Sequence, residues 1–374
     1  MIYLDNAATT KPCDEAKAAV MKGLEVFGNP SSLHRAGLDA ELLVSDAREI
    51  IADALGVTPD EVYFTSGATE SNNTAIFGAY KAHGKRKKRV VISSVEHPAV
   101  KNPAQELEDM GCEVIRISPD ENGEINARDI FAAVNEDTFL VSCMLVNNEN
   151  GYILPVEKAF SMIKKKYPQV LTHCDCVQGF MKIPVKAKKL NADMISLSGH
   201  KIYAPKGIGA LYVKKGLRLP PLTFGGGQER GMRPGTEAVP NIAAFAKACE
   251  IRMAHFDEDY AHVQELADYL KQQVSAELPD AQFNGEGDIP HVVNLSMPGC
   301  KSEVMLHVLE GDEVYISSGS ACSKGKQSGV LKALGLPKTR TDSALRVSFA
   351  PFNTREDVDA FVAAVKKGAK MFRR

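Results

Sequence analysis

Through the middle of the chain, short apolar runs rich in β-branched residues alternate with helix-length amphipathic stretches. The runs predict strands near residues 62–65, 90–93, 113–117, 138–146, 170–175, 194–198 and 208–213. Amphipathic spacing between them predicts helices over 70–80, 98–110, 127–134 and 156–165. Near-continuous apolar strands interleaved with helices predict an α/β domain with a mostly parallel sheet, in which the last strand is a candidate for antiparallel entry. After Pro240 the pattern changes. Residues 242–276 carry no proline or glycine and predict one long connecting helix, followed by a strand-like 291–297 and mixed α/β sequence. The predicted division is a large α/β domain over 13–252 and a smaller α+β domain made of 1–12 and 253–374. No internal repeat or low-complexity segment interrupts it.

Length agrees with this division, since 374 residues exceed one ordinary domain. A 44% hydrophobic and 25% charged composition is that of a globular protein, and a net charge of -2 gives no reason to expect global attraction to nucleic acid or membrane. The amino terminus shows no basic-then-apolar leader, and no run has the apolar length of a membrane span. Eight dispersed cysteines form no disulfide framework and no C-x-x-C pair. The expectation is a cytoplasmic protein. One basic run, residues 81–89, suits an acidic or RNA partner, but the favoured reading is a solvated connection between a helix and a strand.

In open α/β sheets ligands sit beyond the carboxyl ends of the strands, so the residues that follow each strand are the informative ones. Ser198-Gly199-His200-Lys201 follows one strand and leads into Lys206-Gly207-Ile208-Gly209. A lysine leaving water at such a point becomes a nucleophilic amine, with Ser198 and His200 available to an anion. Ser66-Gly67-Ala68-Thr69-Glu70-Ser71 follows another strand and opens a helix, which suits either an anion site or a plain N-cap. Glu96-His97-Pro98 offers an imidazole to stack on a ring or to move protons. Asn147-Asn148-Glu149-Asn150-Gly151 offers amides or a turn.

The run from Val170 ends in Asp175, with Gln178 one helical turn later. Alternation puts Cys174 and Cys176 on one face, His173 and Asp175 on the other. No second ligand pair accompanies them, so no metal site is expected. A carboxylate facing a ring nitrogen keeps a pyridinium protonated. Amine, anion site, imidazole, amides and carboxylate together read as a site for pyridoxal phosphate (PLP).

Residues 317–329 are small and polar without apolar periodicity, which predicts a mobile surface loop. Cys322 sits there with Lys324 and Lys326, and neighbouring cations favour its thiolate. Cys112, Cys143 and Cys249 read instead as buried and inert.

With these residues assembled, the chain resembles a PLP-dependent cysteine desulfurase of the NifS/IscS type. That family lies within the aminotransferase-like fold type I superfamily and the class V aminotransferases. The resemblance runs nearly end to end. It is carried by Tyr3-Leu4-Asp5-Asn6-Ala7-Ala8-Thr9-Thr10, Phe27-Gly28-Asn29-Pro30-Ser31-Ser32, Phe64 to Ser71, Glu96-His97 and Asn147-Asn148-Glu149. Further on it rests on Asp175 with Gln178, Ser198 to Lys201, Gly225 to Arg233, Ser317 to Cys322 and Arg346.

The resemblance implies a large PLP-binding α/β domain and a homodimer. It implies that Lys201 holds PLP covalently and that Ala68, Thr69, Ser198 and His200 bind its phosphate, with Thr236 contributing from the partner subunit. His97 would stack on the ring and relay protons, Asp175 would pair with the ring nitrogen, and Asn148 and Gln178 would contact ring substituents. Arg346, with Asn148, would hold the carboxylate of L-cysteine. Cys322 would accept the sulfur as a persulfide, leaving L-alanine, and pass it to an iron–sulfur scaffold or a tRNA-thiolation enzyme.

Cys322 is also a candidate transient iron–sulfur ligand, and no resident metal, membrane or direct nucleic-acid partner is expected. Three features depart from the IscS-like pattern. The stretch after Cys322 is shorter, Pro234 replaces a usual serine, and the chain stops at Arg374 without the extension that docks a scaffold in some members. These leave a housekeeping role in cluster assembly and a dedicated acceptor both open. Selenocysteine lyase or another fold type I lyase is the competing enzyme reading. An aminotransferase is disfavoured by Cys322, and a non-catalytic sulfur relay by Lys201, Asp175 and His97 together.

Overall fold

The computed structural model describes residues 1–120, 123–285, 287–318 and 328–372. Its first half runs β1 (Ile2–Tyr3), α1 (Asp14–Glu25), α2 (Arg35–Leu55), β2 (Val62–Thr65), α3 (Ala68–His83), β3 (Arg89–Ser93), α4 (Pro98–Asp109), β4 (Glu113–Ile117), α5 (Ala127–Ala132), β5 (Thr138–Met144), α6 (Val156–Lys166) and β6 (Leu171–Asp175). Then come α7 (Ala187–Leu190), β7 (Met194–Ser198), β8 (Gly209–Val213), α8 (Val239–Ala254), α9 (Phe256–Glu277), β9 (Gln282–Phe283) and β10 (Val292–Ser296). The remainder is α10 (Ser302–Gly311), β11 (Val314–Tyr315), α11 (Gly329–Ala333), α12 (Lys338–Thr341), β12 (Ala344–Ser348) and α13 (Arg355–Phe372).

Seven strands form the main sheet in the order β2-β8-β7-β6-β5-β3-β4, and β8 alone runs antiparallel to its neighbours. Strand alternation sorts its side chains into two cores. Val91, Val141 and Ile195 join Val44, Phe160 and Phe245, so α2, α6 and α8 cover one face. Val90, Ile92, Leu140 and Met194 join Ala75, Ile76 and Leu107 from α3 and α4 on the other. Helix α6 shows the cause locally. Val156, Ala159, Phe160 and Ile163 are buried at helical spacing, while Lys164, Lys165 and Lys166 close the last turn, where the macrodipole favours cations.

A third core gathers Leu4 with Val263, Leu270, Leu295, Leu345, Val347 and Phe361, around the antiparallel sheet β12-β10-β9 and the helices α9 and α13. The expected single helix over 242–276 is two helices broken at His255, which leaves helical geometry at φ -111° and ψ 16°. Its two halves serve different cores. Phe245 and Cys249 pack with the main sheet and Val263 and Leu270 with the third core, so the axis changes where the partner changes. Asp257, Glu258 and Asp259 in the first turn of α9 suit a new helix start, and Arg252 pairs with Asp259 across the break.

Candidate active site

β2, β3, β5, β6 and β7 are mutually parallel, so their carboxyl ends open on one side of the sheet. There a cavity of about 630 Å³ is lined by Ala68, Thr69, His97, Asn148, Asp175, Gln178, Ser198, His200, Lys201 and Arg346. Residues scattered over 279 positions of sequence, from Ala68 to Arg346, thus share one wall. Two of the sequence-derived site residues stand apart. Thr236 is exposed and borders a second hollow with Phe224 and Arg233, which shares only Glu70 with the first. Cys322 lies outside the described residues.

The 3-10 turn Gly199–Lys201 that ends β7 presents Lys201, whose Nζ donates to the carbonyls of Ala7 and Ala8 at 2.6 Å each. That carbonyl pair belongs to an amino-terminal segment stitched between the two sheets. Ala7 N–H donates to Ser348 Oγ at 2.8 Å, and Thr10 N–H donates to His200 O at 3.0 Å. Nothing in the apolar periodicity marks residues 5–10 as a cavity wall, and only their small side chains hint at close packing.

The opposite end of the cavity is the start of α3. Gly67 precedes it at φ 150°, a backbone state that L side chains rarely adopt, and no side chain caps the helix. A Cβ on Gly209 of β8 would lie 2.8 Å from Gly67 Cα, so glycine at both positions lets the loop approach the sheet. With no side-chain cap, the amide groups that open α3 are open to an anion supported by the helix dipole. His200 stands nearby with Nδ1 3.1 Å from Thr9 Oγ1. Burial, reinforced by Lys201 and Lys206, lowers its pKa to about 4, so it meets an anion as a neutral donor.

Asp175 ends β6 with each carboxylate oxygen holding one donor. Asn72 Nδ2 donates to Oδ2 at 2.8 Å and Val177 N–H to Oδ1 at 3.0 Å. Lone pairs remain for a ring N–H from the cavity. His97 is the N-cap of α4, its Nδ1 accepting from Ala99 N–H at 3.0 Å, so the neutral ring carries its proton on Nε2. Burial and the neighbouring lysines push its pKa down against the pull of Asp175. His173, in contrast, bridges Ser142 Oγ and Ser196 Oγ at 2.7 and 2.9 Å inside the sheet, where burial lowers its pKa to about 3. It is structural. Cys174 and Cys176 do share a face, with their sulfurs 3.4 Å apart, and burial raises the Cys174 thiol far above its usual range.

Arg346 sits on β12 between Leu345 and Val347, which point into the third core. Its Nη2 donates to Asp5 Oδ1 at 2.7 Å and its Nη1 to Asn148 O at 3.0 Å, while Nε is buried with no partner among the described residues. Sequence reasoning missed that Asp5 already holds this guanidinium. It also gave no role to Glu96. That carboxyl accepts from Ser93 Oγ and Met144 N–H through Oε1 and leaves Oε2 buried and unpartnered, and burial raises its pKa to about 8. Among the described residues no cluster of metal-ligating side chains occurs.

Amine, uncapped helix start, half-satisfied carboxylate and orphan guanidinium nitrogen fit PLP with an amino-acid substrate. Comparison with known proteins adds to this. Residues 2–361 match the family profile described as Aminotransferase class-V. The chain is 42% identical to a NifS/IcsS protein homolog of Lactobacillus delbrueckii subsp. bulgaricus, over 97% of this chain and 96% of that one. It is 39% identical to a cysteine desulfurase IscS of Dictyoglomus turgidum, over 96% of this chain and 92% of that one. A solved NifS-like protein superposes with a TM-score of 0.92 at 36% identity, covering 98% of both chains. The structure titled "SspA in complex with cysteine" superposes with a TM-score of 0.84 at 33% identity, covering 95% of this chain and all of the other.

Proposed function

The chain belongs to the class-V aminotransferase family, in which it is a cysteine desulfurase, and we propose that it moves sulfur from L-cysteine to Cys322 with Lys201 as the PLP-holding amine. The observation that carries the assignment is the single cavity where Lys201, Asp175, His97 and Arg346 meet. When bound, PLP supplies an aldehyde for an amine and an electron-poor ring that takes up the charge released at a substrate carbon.

The residues divide the remaining work. The amides at the start of α3, with Ser198 and His200, hold the phosphate, and Asp175 keeps the ring nitrogen protonated. Asn148 and Gln178 would contact ring substituents, and His97 would pack over the ring and relay protons through Nε2. Arg346 and Asn148 orient the substrate carboxylate. Lys201, the amine that would hold PLP, would also take the substrate's Cα proton at Nζ and return one. The Cys322 thiolate then attacks the substrate sulfur. A sulfur–sulfur bond forms, the carbon–sulfur pair stays with Cβ, and protonation there gives L-alanine, so atoms and electrons balance without an oxidant.

Both described flanks of the segment that contains Cys322 are fastened to cavity-lining residues, which supports this role. Ser317 and Arg346 exchange backbone hydrogen bonds at 2.7 and 3.3 Å, and Ser328 Oγ donates to Glu149. The persulfide is then available to an acceptor protein, either an iron–sulfur scaffold or a tRNA-thiolation enzyme. We place the protein in the cytoplasm and divide it into the domains 13–252 and 1–12 with 253–374.

The test of this function is stoichiometry: L-cysteine should yield one alanine per sulfur transferred. Arg346→Lys in the same assay should raise KM for cysteine about tenfold while cofactor colour persists, because a point charge replaces the fork. Arg346→Ala is a poorer probe, since it removes the buried guanidinium and leaves the partly buried Asp5 carboxylate without its partner. An unchanged KM in the lysine variant would remove Arg346 from substrate binding.

The working unit is a homodimer. Met21, Leu24, Phe27, Leu33, Leu38 and Leu42 on α1, α2 and their connection are all more than half exposed, an apolar surface that a second copy would cover. A partner would also bring Thr236, which lies outside its own cavity, to the other copy's phosphate site. Leu38→Arg with Leu42→Arg should shift sedimentation toward monomer and release PLP, and Thr236→Ala should weaken PLP retention about tenfold to a hundredfold. An active, PLP-loaded monomer would contradict this.

A further inference from the structure

Lys182 is the one buried lysine among the described residues, 7% exposed, yet no ion pair accompanies it. It lies four residues beyond Gln178 in the turns that follow β6, and its Nζ donates to Gln178 Oε1 at 2.7 Å. An ammonium has only donors, so it fixes which end of the Gln178 amide faces it. The amide nitrogen is thereby turned the other way, where Nε2 donates to Ala7 O at 2.9 Å. That carbonyl is the one that also accepts from Lys201 Nζ at 2.6 Å. The Gln178 donor and the Lys201 amine therefore converge on one atom.

PLP carries its phenolic oxygen on the ring carbon next to the one that bears the aldehyde. A donor held beside the amine that captures the aldehyde therefore meets the phenolic oxygen. We propose that Lys182 is a positioning residue that locks Gln178 as a hydrogen-bond donor to the cofactor's phenolate and lends it positive charge from behind. The proposal rests on the reading that Lys201 carries PLP.

The surroundings of Lys182 agree. The charged and titratable groups around it are Lys201, Arg346, His200 and the buried His291, and burial, then Lys201 and Arg346, push its pKa down to about 7. An ammonium kept among cations without a carboxylate is stabilised when a phenolate arrives on the far side of the Gln178 amide. A lysine serving only to fill space would be replaced by an apolar side chain without that desolvation penalty.

The experiment is a pH titration of the visible absorption of the PLP-loaded protein, with activity measured in parallel. Lys182→Met keeps most of the length of the side chain and loses both donor and charge. Its chromophore should hold its proton more tightly, with an apparent pKa about one unit above wild type, and kcat/KM should fall about tenfold. Lys182→Arg should titrate within a few tenths of a unit of wild type. Gln178→Leu should show the same rise, and adding Lys182→Met to it should raise the value no further, because the two act through one link. If Lys182→Met does not fold, Lys182→Gln, which retains a neutral donor, should show part of the same rise.

A coloured Lys182→Met or Lys182→Gln variant that titrates like wild type overturns the proposal alone. A wild-type protein without PLP on Lys201 overturns it together with the reading beneath it.

Discussion

Lys201→Ala should abolish desulfuration by at least about 10⁴-fold and leave no borohydride-trappable link between protein and cofactor. Two losses combine in this variant. The covalent tether goes, and so does the base that moves the Cα proton. Phosphate contacts at the start of α3 and the Asp175 carboxylate remain, because neither is held by Lys201. The variant should therefore still bind PLP, with a blue-shifted spectrum typical of a free aldehyde, and lose it on dialysis. Mass spectrometry of the reduced wild-type protein should place the adduct on the peptide that contains Lys201. Lys206 is the informative control, since it also lines the cavity but is exposed and lies past the 3-10 turn that presents Lys201. An adduct on Lys206, or full trapping in Lys201→Ala, would refute the assignment.

What the sequence makes legible here follows from sheet geometry. Each parallel strand is a nearly continuous apolar run, so its carboxyl end can be read within a residue or two, and the residues beyond must face the same side. That logic reaches Ala68, His97, Asn148, Asp175, Ser198 and Lys201, and the structure puts all six on one cavity. It does not reach Ala7 and Ala8, which join the wall, or Asp5, which holds the wall residue Arg346, because the segment crosses from the small sheet with no periodicity to announce it. Nor does it reach Asn72 and Lys182. These are polar residues on otherwise buried faces, and only their partners, Asp175 and Gln178, explain why burial is tolerated.

The break at His255 was illegible for another reason. Helix propensity is unbroken across it, and the chain turns because its apolar stripe changes core. Arg346 was legible only through resemblance. Alternation on β12 predicts an inward or outward position and says nothing of Asp5 waiting across 341 residues of sequence.

Cys322→Ser should separate the two halves of the reaction. Cofactor binding and the spectral change on adding cysteine should persist, because the roles proposed for Lys201, Asp175 and Arg346 involve no second thiol. Persulfide on the protein should vanish and sulfide release should fall about 10³-fold or more, since a neutral hydroxyl is a far weaker nucleophile toward sulfur than a thiolate. The seven other cysteines cannot stand in. Cys143, Cys174 and Cys249 are buried and desolvation raises their thiols well above the usual range, Cys112, Cys176 and Cys300 are buried as well, and burial also raises the half-buried Cys13 thiol. Cys322 differs by placement along the chain. It lies five residues after Ser317, whose backbone pairs with Arg346, and six before Ser328, which donates to Glu149. At no more than about 3.5 Å per residue, such a tether lets a thiol reach both the cavity and an outside acceptor. Cys174→Ser should retain most activity in the same assay. Should persulfide be trapped on Cys174 or Cys176 while Cys322→Ser turns over normally, the sulfur would be leaving by another route, and the role given to Cys322 would be wrong.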